Sequence, residues 1–241
     1  MSEKLKIVEI FKGISGEGIS AGEVKTFLRF EGCNLRCRYC DTTYSYDDNG
    51  PVDLMTLEEI IAEIEQLSCK SLIITGGEPL ETDTQKRTIP LLLAKKGYDV
   101  RIETNGATPL YSEEELASYG LEVDREKIHY VLDIKCPCSG MSQFDMFEEN
   151  IALLREQDEI KCVVGSEEDI TFAMNKIKMY EEMIAKNNVV INFSTVYGTF
   201  SPIDVVEFLK KNSAYFESRN LKARLSLQLH KVLWGEEERG V

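Results

Sequence analysis

The sequence contains little histidine, a deficit of positive charge and no long apolar run. Only two of its 241 residues are histidine, and 42 acidic side chains outnumber 28 basic ones, which gives a net charge of −14. Such a surface repels phosphate backbones, so we expect no nucleic-acid partner. No apolar stretch approaches the roughly 20 residues that span a bilayer, and the charged start Met1–Lys6 lacks the apolar core of a secretion signal. We therefore expect no membrane association and no secretion.

Three of the seven cysteines stand close together. Cys33, Cys37 and Cys40 follow the spacing C-x3-C-x2-C. Iron–sulfur clusters are normally held by four thiolates, so three suggest a cluster with one iron open to a substrate or cofactor. A zinc site is one alternative, but zinc prefers four nitrogen or sulfur ligands, and His129 and His230 are remote. Buried, unligated thiols are the other alternative. Clustered cysteines also favour reduced thiols and hence a cytoplasmic location.

The setting of these cysteines, G-C-N-L-R-C-R-Y-C-D-T, resembles the radical S-adenosylmethionine (SAM) superfamily. That resemblance implies a [4Fe–4S] cluster whose fourth iron is chelated by the amino and carboxylate groups of SAM. Reductive cleavage of SAM then yields a 5′-deoxyadenosyl radical. The protein positions this chemistry and excludes side reactions.

Apolar runs alternate with amphipathic stretches along the chain, as in repeated βα units. The predicted strands are 6–11, 25–30, 71–75, 100–103, 128–133, 160–164, 189–194 and 223–229, and the predicted helices are 57–67, 82–96, 113–119, 143–155, 167–185 and 202–211. The length suits one α/β domain covering residues 1–241, without an internal repeat or linker.

Several strands end in residues suited to binding ligands. Residues 76–79 read Gly-Gly-Glu-Pro, residues 103–106 read Glu-Thr-Asn-Gly, and residues 133–135 read Asp-Ile-Lys. Ligands of parallel α/β sheets bind at the carboxyl ends of strands, so we expect these residues at one rim. The alternatives are plain turns, which glycine and Asn-Gly also form, and a solvated lysine. Cys136 and Cys138 are too close together to hold a second full cluster, and their role stays open.

Other segments allow both a functional and a structural interpretation. Thr42, after Asp41, either caps a helix or offers a hard oxygen to Mg²⁺. The loop around Glu17 is either a surface turn or part of a site, and Arg29 can clamp a carboxylate through two hydrogen bonds. The run 228–235, with His230 and the single tryptophan, is either a packed apolar tail or a lid over the substrate.

Together these pieces resemble the 7-carboxy-7-deazaguanine synthase family over nearly the whole chain. The most family-specific parts are the Gly-Glu-Gly loop at 16–18 and the tail, from Gln-Leu-His-Lys at 228–231 through Leu-Trp-Gly at 233–235 to Arg-Gly-Val at 239–241. The resemblance implies a single-domain, incomplete TIM-like barrel and a homodimer, with a cluster loop at 33–40 and a substrate-capping tail at about 228–241. It also implies an external electron donor of the flavodoxin or ferredoxin type.

The implied reaction converts 6-carboxy-5,6,7,8-tetrahydropterin to 7-carboxy-7-deazaguanine, a carbon–nitrogen lyase step in the biosynthesis of 7-cyano-7-deazaguanine and queuosine. The radical removes hydrogen from the pterin carbon that bears the carboxylate, the ring contracts, ammonia leaves and SAM is regenerated. Mg²⁺ assists by bridging Thr42 and the substrate carboxylate.

The resemblance also assigns residues by position. Cys33, Cys37 and Cys40 hold the cluster and are catalytic. The expected contacts to SAM are Tyr39, Cys40, Asp41, Gly77, Glu78, Glu103, Asp133, Ile134, Lys135 and Ser194. The expected contacts to substrate are Ile14, Ser15, Gly16, Glu17, Arg29, Thr75, His230 and the terminal carboxylate of Val241.

Two positions depart from the family pattern. Ser15 replaces the usual glutamine before Gly-Glu-Gly, so one amide contact to the pterin is shortened or mediated by water. Asp133-Ile134-Lys135 replaces a common Ser-Pro-Lys and is also familiar from glycyl-radical activating enzymes, which supply the alternative function. A simple iron–sulfur electron carrier is a further alternative, but it leaves Gly76-Gly77-Glu78 unexplained.

Overall fold

The computed structural model of the protein describes residues 4–47, 50–118, 125–235 and 238–240. In chain order the strands are β1 (Leu5–Ile14), β2 (Val24–Phe30), β3 (Asp53–Met55), β4 (Ser71–Gly76), β5 (Asp99–Thr104), β6 (Ile128–Ile134), β7 (Glu159–Val164), β8 (Val190–Thr195) and β9 (Lys222–Leu225). The helices are α1 (Leu57–Leu67), α2 (Ile89–Lys95), α3 (Glu113–Ser118), α4 (Phe147–Ile151), α5 (Glu167–Met179), α6 (Glu181–Lys186), α7 (Pro202–Lys211), α8 (Ser213–Ser218) and α9 (Leu229–Leu233). None of these helices has the length and apolar character needed to cross a bilayer.

Within the described residues the strands form one sheet in the order β3–β1–β2–β4–β5–β6–β7–β8–β9. β1 runs antiparallel to both of its neighbours, and every pair from β2 to β9 is parallel. β3 and β9 form the two edges, so the sheet is open. This arrangement confirms the predicted α/β fold of an incomplete barrel.

The two faces of the sheet differ because side chains alternate along each strand. In β6, Ile128, Tyr130, Leu132 and Ile134 are all but fully buried in the hydrophobic core between sheet and helices. Asp133, between the last two, points to the opposite face. One face of the sheet therefore builds the core, and the other is left to carry polar groups.

The predictions for α1 and α7 are confirmed at both ends because each helix carries a clear start signal. The Thr56 hydroxyl accepts a hydrogen bond from the Glu59 amide while the Glu59 carboxylate binds the Thr56 amide, which forms a capping box. At α7 the Ser201 side chain accepts from the Ile203 amide, and Pro202 occupies the first turn.

The structure corrects several other predicted bounds. The predicted strand 223–229 ends at Leu225, because the chain then turns inward and the Leu229 amide binds the Gly16 carbonyl over 3.0 Å. The predicted helix 82–96 shrinks to a 3₁₀ turn and α2, since Asp83 has φ +60° and Thr84 is extended. The predicted helix 167–185 breaks at Tyr180, where φ is −120°.

Short elements account for the remaining differences. The predicted helix 143–155 is α-helical only over α4, with a 3₁₀ turn at Ser142–Phe144 before it, and β3, α8 and α9 were not predicted at all. All of these elements are six residues long or shorter, too short for a periodic pattern to show. The predicted helix 113–119 ends at Ser118, and position 119 lies outside the described residues.

Candidate active site inside the open barrel

The carboxyl ends of neighbouring strands bring several predicted site residues together. β2 and β4 pair Arg29 with Thr75 in register, and the Thr75 hydroxyl donates to Glu103 on β5 over 2.9 Å. Burial raises the pKa of Glu103. The next strand, β6, carries Asp133 near its end. The rim predicted from the strand-end motifs therefore forms, because parallel strands end at the same edge of the sheet.

The loop that carries Cys33, Cys37 and Cys40 follows β2 directly. All three thiols are free and partly exposed. The loop is fixed by backbone bonds, including one from the Arg38 amide to the Ser139 carbonyl over 3.0 Å. In the described part of the chain, no three His, Cys, Asp or Glu side chains lie close enough to hold a single metal ion. Thiolates of an iron–sulfur cube each bind a different iron, so they need not converge on one point.

Neighbouring groups donate hydrogen bonds to the first of these thiols, Cys33. The Cys33 sulfur accepts hydrogen bonds from the Leu35 amide at 3.4 Å and from the Asn105 side-chain amide at 3.6 Å. Burial raises the pKa of Cys33 and of Cys37. Because metals bind the deprotonated thiolate, iron would reverse this effect of burial. Asn105 also donates to the Asn34 side chain over 2.7 Å, so the 103–106 motif touches the cluster loop directly.

Two glycines at the end of β4 allow the cluster loop to pack against the sheet. A Cβ on Gly77 would lie 1.7 Å from the carbonyl oxygen of Gly32, and a Cβ on Gly76 would lie 2.3 Å from that of Phe30. Gly76 also has φ +119°, a conformation that only glycine adopts readily. The Gly77 amide donates to the Phe30 carbonyl over 3.0 Å. These glycines are therefore required for close backbone approach, whatever else they bind.

Glu78 links the ends of two neighbouring strands through hydrogen bonds. Its carboxylate is fully buried and accepts hydrogen bonds from the Leu80 amide, the Thr104 hydroxyl and the Asn105 amide at 2.7–2.9 Å. Burial nevertheless raises its pKa. Glu78 therefore ties the end of β4 to the end of β5, and a contact to the ammonium group of SAM stays a prediction.

The expected SAM contacts at 133–135 divide between the two faces of the sheet. Lys135 is buried and binds the Asp133 carboxylate at 2.5 Å. Burial opposes the charged form, but Asp133 raises the pKa of Lys135, so the lysine stays cationic. Ile134, in contrast, points into the core and is fully buried. Its side chain therefore cannot contact a ligand at the rim, and only its main chain can.

Two further expected SAM contacts carry hydroxyls that fit a bound ligand. The Tyr39 hydroxyl and the Ser194 hydroxyl are buried and have no hydrogen-bond partner among the described residues. Buried polar groups are normally satisfied, so such orphaned atoms call for a polar partner from a ligand or water. Together with three free thiols and the charged pair at 133–135, they fit a cluster and SAM at this rim.

The loop around Glu17 reaches the site from the other end of the sheet. β1 is antiparallel to β2, so the loop between them starts at the amino end of β2. It then folds into the barrel, where Glu17 forms an ion pair with Lys161 on β7. The second carboxylate oxygen of Glu17, Oε1, is buried without a partner among the described residues. Glu17 thus presents a free acceptor to the cavity.

Ser15, which replaces the family glutamine, is turned into its own loop. It is buried, its hydroxyl lies 2.8 Å from that of Ser20, and it also donates to the Glu17 carbonyl at 3.2 Å. Its hydrogen bonds are therefore used within the loop. A direct side-chain contact from Ser15 to a substrate is not favoured by this arrangement.

The C-terminal tail packs against both the Glu17 loop and the cluster loop. The His230 ring lies against Gly16, where a Cβ would stand 2.5 Å from Nδ1. Burial lowers the pKa of His230, so its ring is neutral at pH 7. Lys231 binds Asp41, the residue after Cys40, at 3.1 Å. Although partial burial opposes it, the charge of Lys231 lowers the pKa of Asp41. The tail therefore packs against both loops, and its role as a lid over a substrate stays a prediction.

The remaining expected site residues are Arg29, Ile14, Thr42 and Val241. Nε of Arg29 is already bound to Glu9 at 2.6 Å, so a clamp on a substrate carboxylate rests with its terminal nitrogens. Ile14 is half-buried at the end of β1, and the Thr42 hydroxyl donates to Asp41 over 3.0 Å. Val241 lies outside the described residues.

Sequence reasoning missed the polar residues that line the inner cavity from β7 and β8. The cavity is lined by Ser15, Glu17, Gly18, Ser20, Arg101, Glu103, Val131, Lys161, Asn192 and Ser226. A signal did exist, since Glu159 and Lys161 stand two apart in an otherwise apolar strand. Cys136, in contrast, is fully buried in the core and Cys138 donates to the Val163 carbonyl, which favours a packing role for both.

Comparisons with known proteins show the family and the fold of this chain. A family model described as the radical SAM superfamily matches residues 27–129. The 7-carboxy-7-deazaguanine synthase of Clostridium acetobutylicum is 36% identical over 236 residues, covering 98% of this chain and 99% of that protein. The protein of the same name from Methanospirillum hungatei is 35% identical over 233 residues, covering 96% and 86%. The crystal structure of QueE from Escherichia coli shares the fold, with a TM-score of 0.61, 21% identity and coverage of 93% and 94%.

Proposed function

The chain belongs to the 7-carboxy-7-deazaguanine synthase family of radical SAM proteins, and we propose that it converts 6-carboxy-5,6,7,8-tetrahydropterin to 7-carboxy-7-deazaguanine with release of ammonia. The observation that carries this proposal is the meeting of three segments: the cluster loop, the Glu17 loop and the His230 tail. A glycyl-radical activating enzyme must admit a protein segment. Here a short tail and a folded loop fill that space, which favours a small substrate.

Cys33, Cys37 and Cys40 would each hold one iron of a [4Fe–4S] cluster. The cluster, when bound, supplies the electron that cleaves SAM and generates the radical. Tyr39 and Ser194 offer hydroxyls to SAM. The partial exposure of the cluster loop would let an external electron donor of the flavodoxin or ferredoxin type approach.

The substrate would lie between the Glu17 loop, β4 and the tail. Free Oε1 of Glu17 suits the N–H groups of a pterin edge, and Arg29 suits the substrate carboxylate. His230, neutral at pH 7, can accept or donate one hydrogen bond there. Glu103, which accepts a hydrogen bond from Thr75 and lines the cavity, would accept further hydrogen bonds from SAM or the substrate.

Magnesium dependence is part of the proposal. The Thr42 hydroxyl, two residues after Cys40, is a hard oxygen ligand that would hold Mg²⁺ together with the substrate carboxylate. Mg²⁺ would need few protein ligands, because substrate and water oxygens complete its shell.

A homodimer and a cytoplasmic location complete the proposal. Val232, Leu233 and Trp234 are exposed by 68%, 60% and 44%, an apolar group suited to a subunit contact. All seven cysteines are unpaired, as expected for a reducing compartment.

The test is an anaerobic assay of reconstituted protein with SAM, a strong reductant and 6-carboxytetrahydropterin, followed by mass spectrometry. We expect deazaguanine product over many turnovers with SAM undiminished. Cleavage of SAM to 5′-deoxyadenosine without product would keep the radical chemistry and reject the substrate. Omission of Mg²⁺ from this assay tests the magnesium dependence. Size-exclusion chromatography with light scattering tests the homodimer.

A further inference from the structure

A buried carboxylate outside the expected site holds the Glu17 loop in place. Glu159, the first residue of β7, is fully buried. Its carboxylate accepts hydrogen bonds from Arg101 at 2.7 Å, from Asn192 at 2.6 Å and from the Ile19 main-chain amide at 2.8 Å. Arg224 lies 3.7 Å away on the same side as Asn192. The first three donors come from two strands and from the loop between β1 and β2.

The loop is shaped to meet this carboxylate. Gly18 has φ +67°, and a Cβ there would stand 2.5 Å from Oε2 of Glu159. The Gly18 amide donates to the Ser226 hydroxyl at 3.0 Å. Glycine is required for both reasons, the left-handed backbone and the lack of space. The loop therefore has little freedom to leave Glu159.

The contact between Glu159 and the loop acts on Glu17, a carboxylate that faces the cavity with a free oxygen. Glu17 is the residue before Gly18, and its side chain pairs with Lys161, two residues after Glu159 on the same strand. β7 thus fixes Glu17 twice, through the backbone by Glu159 and through the side chain by Lys161. What remains available is Oε1, which is buried and has no partner among the described residues.

A stabilising role alone explains this arrangement poorly. Buried ion pairs contribute little net stability, because the loss of solvation offsets the attraction between the charges. They do fix geometry, since a charged acceptor left without its donors is costly. In this protein the buried ion pair fixes the geometry of the Glu17 loop. That loop carries the Glu17 carboxylate, which is proposed to bind the substrate.

We propose that Glu159 is a positioning residue for substrate binding: through Ile19 and Gly18 it aims Oε1 of Glu17 at the N–H donors of a heterocyclic substrate. The proposal rests on the proposed function for the identity of the substrate. It assigns Glu159 no contact with substrate, SAM or cluster. Its loss should therefore weaken binding of the heterocycle and leave SAM binding intact.

The main test is Glu159→Gln in the full, reconstituted protein, with 6-carboxypterin as the probe. Loss of a charge-assisted hydrogen bond corresponds to about a 10- to 100-fold effect, so we expect fluorescence titration to show binding weaker by about that factor. The SAM-induced change in the electron paramagnetic resonance (EPR) spectrum of the reduced cluster should persist. Hydrogen exchange should become faster at Ile19. The matched control is Glu115→Gln, which makes the same chemical change at the Arg87–Glu115 ion pair, away from this loop.

Two further variants separate positioning from general damage. Gly18→Ala perturbs the same contact from the loop side and should weaken 6-carboxypterin binding without removing the Glu159 carboxylate. In Glu159→Gln/Asn192→Asp the negative charge returns at position 192, but the NH2 group introduced at position 159, which donates to that new carboxylate, also faces the Ile19 amide and cannot accept from it. We therefore expect the affinity for 6-carboxypterin to stay low. If Glu159→Gln does not fold, Gly18→Ala decides the question.

Several outcomes would overturn the inference. The first is that Glu159→Gln and Gly18→Ala both bind 6-carboxypterin as the parent protein does. The second is that Glu159→Gln loses 6-carboxypterin binding and SAM binding equally. The third is that hydrogen exchange at Ile19 is unchanged in Glu159→Gln. If the unaltered protein neither binds 6-carboxypterin nor turns over the pterin, the proposed function fails. The exchange experiment still tests the contact between Glu159 and the loop in that case, because it needs no ligand.

Discussion

Replacing Gly77 with alanine tests how the sheet supports the cluster loop. The added Cβ would stand 1.7 Å from the Gly32 carbonyl oxygen, 2.2 Å from its carbon and 2.8 Å from the Cys33 amide. Ordinary contacts begin at 3.4 Å, so the backbone on one side must move by well over 1 Å. All three clashing atoms are main-chain atoms, so no rotamer change can relieve the overlap.

The cost follows from the bonds at this junction. The movement breaks the hydrogen bonds from Glu78 to Gly32 at 2.8 Å and from Gly77 to Phe30 at 3.0 Å. Each contributes about 1 kcal/mol net, and overpacking adds about 1–3 kcal/mol. We therefore expect Gly77→Ala to lower the free energy of unfolding by about 3–5 kcal/mol. For a chain of this length that corresponds to a Tm roughly 10 °C lower.

The assay measures iron and sulfide content after anaerobic reconstitution, together with the EPR spectrum and thermal unfolding. We expect a much lower cluster content, because Cys33 follows the displaced Gly32 directly. Gly97→Ala is the control: Gly97 has φ +91° but nothing within 4 Å of its added Cβ. Gly97→Ala should lower the free energy of unfolding by only about 1–2 kcal/mol, through backbone strain, and leave the cluster content unchanged. A Gly77→Ala protein with full cluster content and an unchanged Tm would refute the reasoning.

Three other substitutions test separate parts of the molecule. Cys40→Ala should abolish cluster binding and activity, because we propose its thiolate as a ligand; retained turnover in the anaerobic assay would contradict this. Arg29→Ala should weaken binding of the pterin about 10- to 100-fold, the effect of a lost charge-assisted hydrogen bond, and affect SAM binding far less; equal losses would reject its placement. The hydrogen bond with His129 lowers the pKa of Asp99 from 3.8 to about 2, so this stabilisation is present above pH 3.8 and is lost as pH falls toward 2. Asp99→Asn should therefore reduce stability at pH 7 by about 1 kcal/mol, since the partly exposed pair is screened, and denaturation curves of variant and parent should converge near pH 2; an equal offset at both pH values would be inconsistent with this.

The local signals in the sequence were sufficient to place the strand ends at one rim and to predict the cluster loop. Three cysteines at fixed spacing and two glycines after an apolar run describe contacts between residues near in the chain. What these cysteines and glycines can do depends little on residues that are distant in the chain. The helix α1 is a similar case, because Thr56 and Glu59 cap it within one turn. Short or edge elements such as β3 carry too few residues for such a signal.

Residues whose role depends on distant partners were harder to predict. Glu78 was expected to bind a ligand, yet its carboxylate ties two strand ends together. Ile134 was assigned to the rim by its place in a motif, but strand alternation turns its side chain into the core. In both cases the motif predicted a segment at the rim, and the fold decided what each side chain contacts.

The sequence by itself determined the family and the α/β class and predicted the cluster ligands, because these depend on residue type and on spacing along the chain. Only the tertiary structure decided how the Glu17 loop enters the barrel. Glu159 and Ile19 are 140 residues apart, yet the carboxylate of one binds the amide of the other at 2.8 Å. Such a contact exists only once β7 and the antiparallel β1–β2 pair share one sheet, since no local pattern encodes which buried carboxylate will meet which free amide.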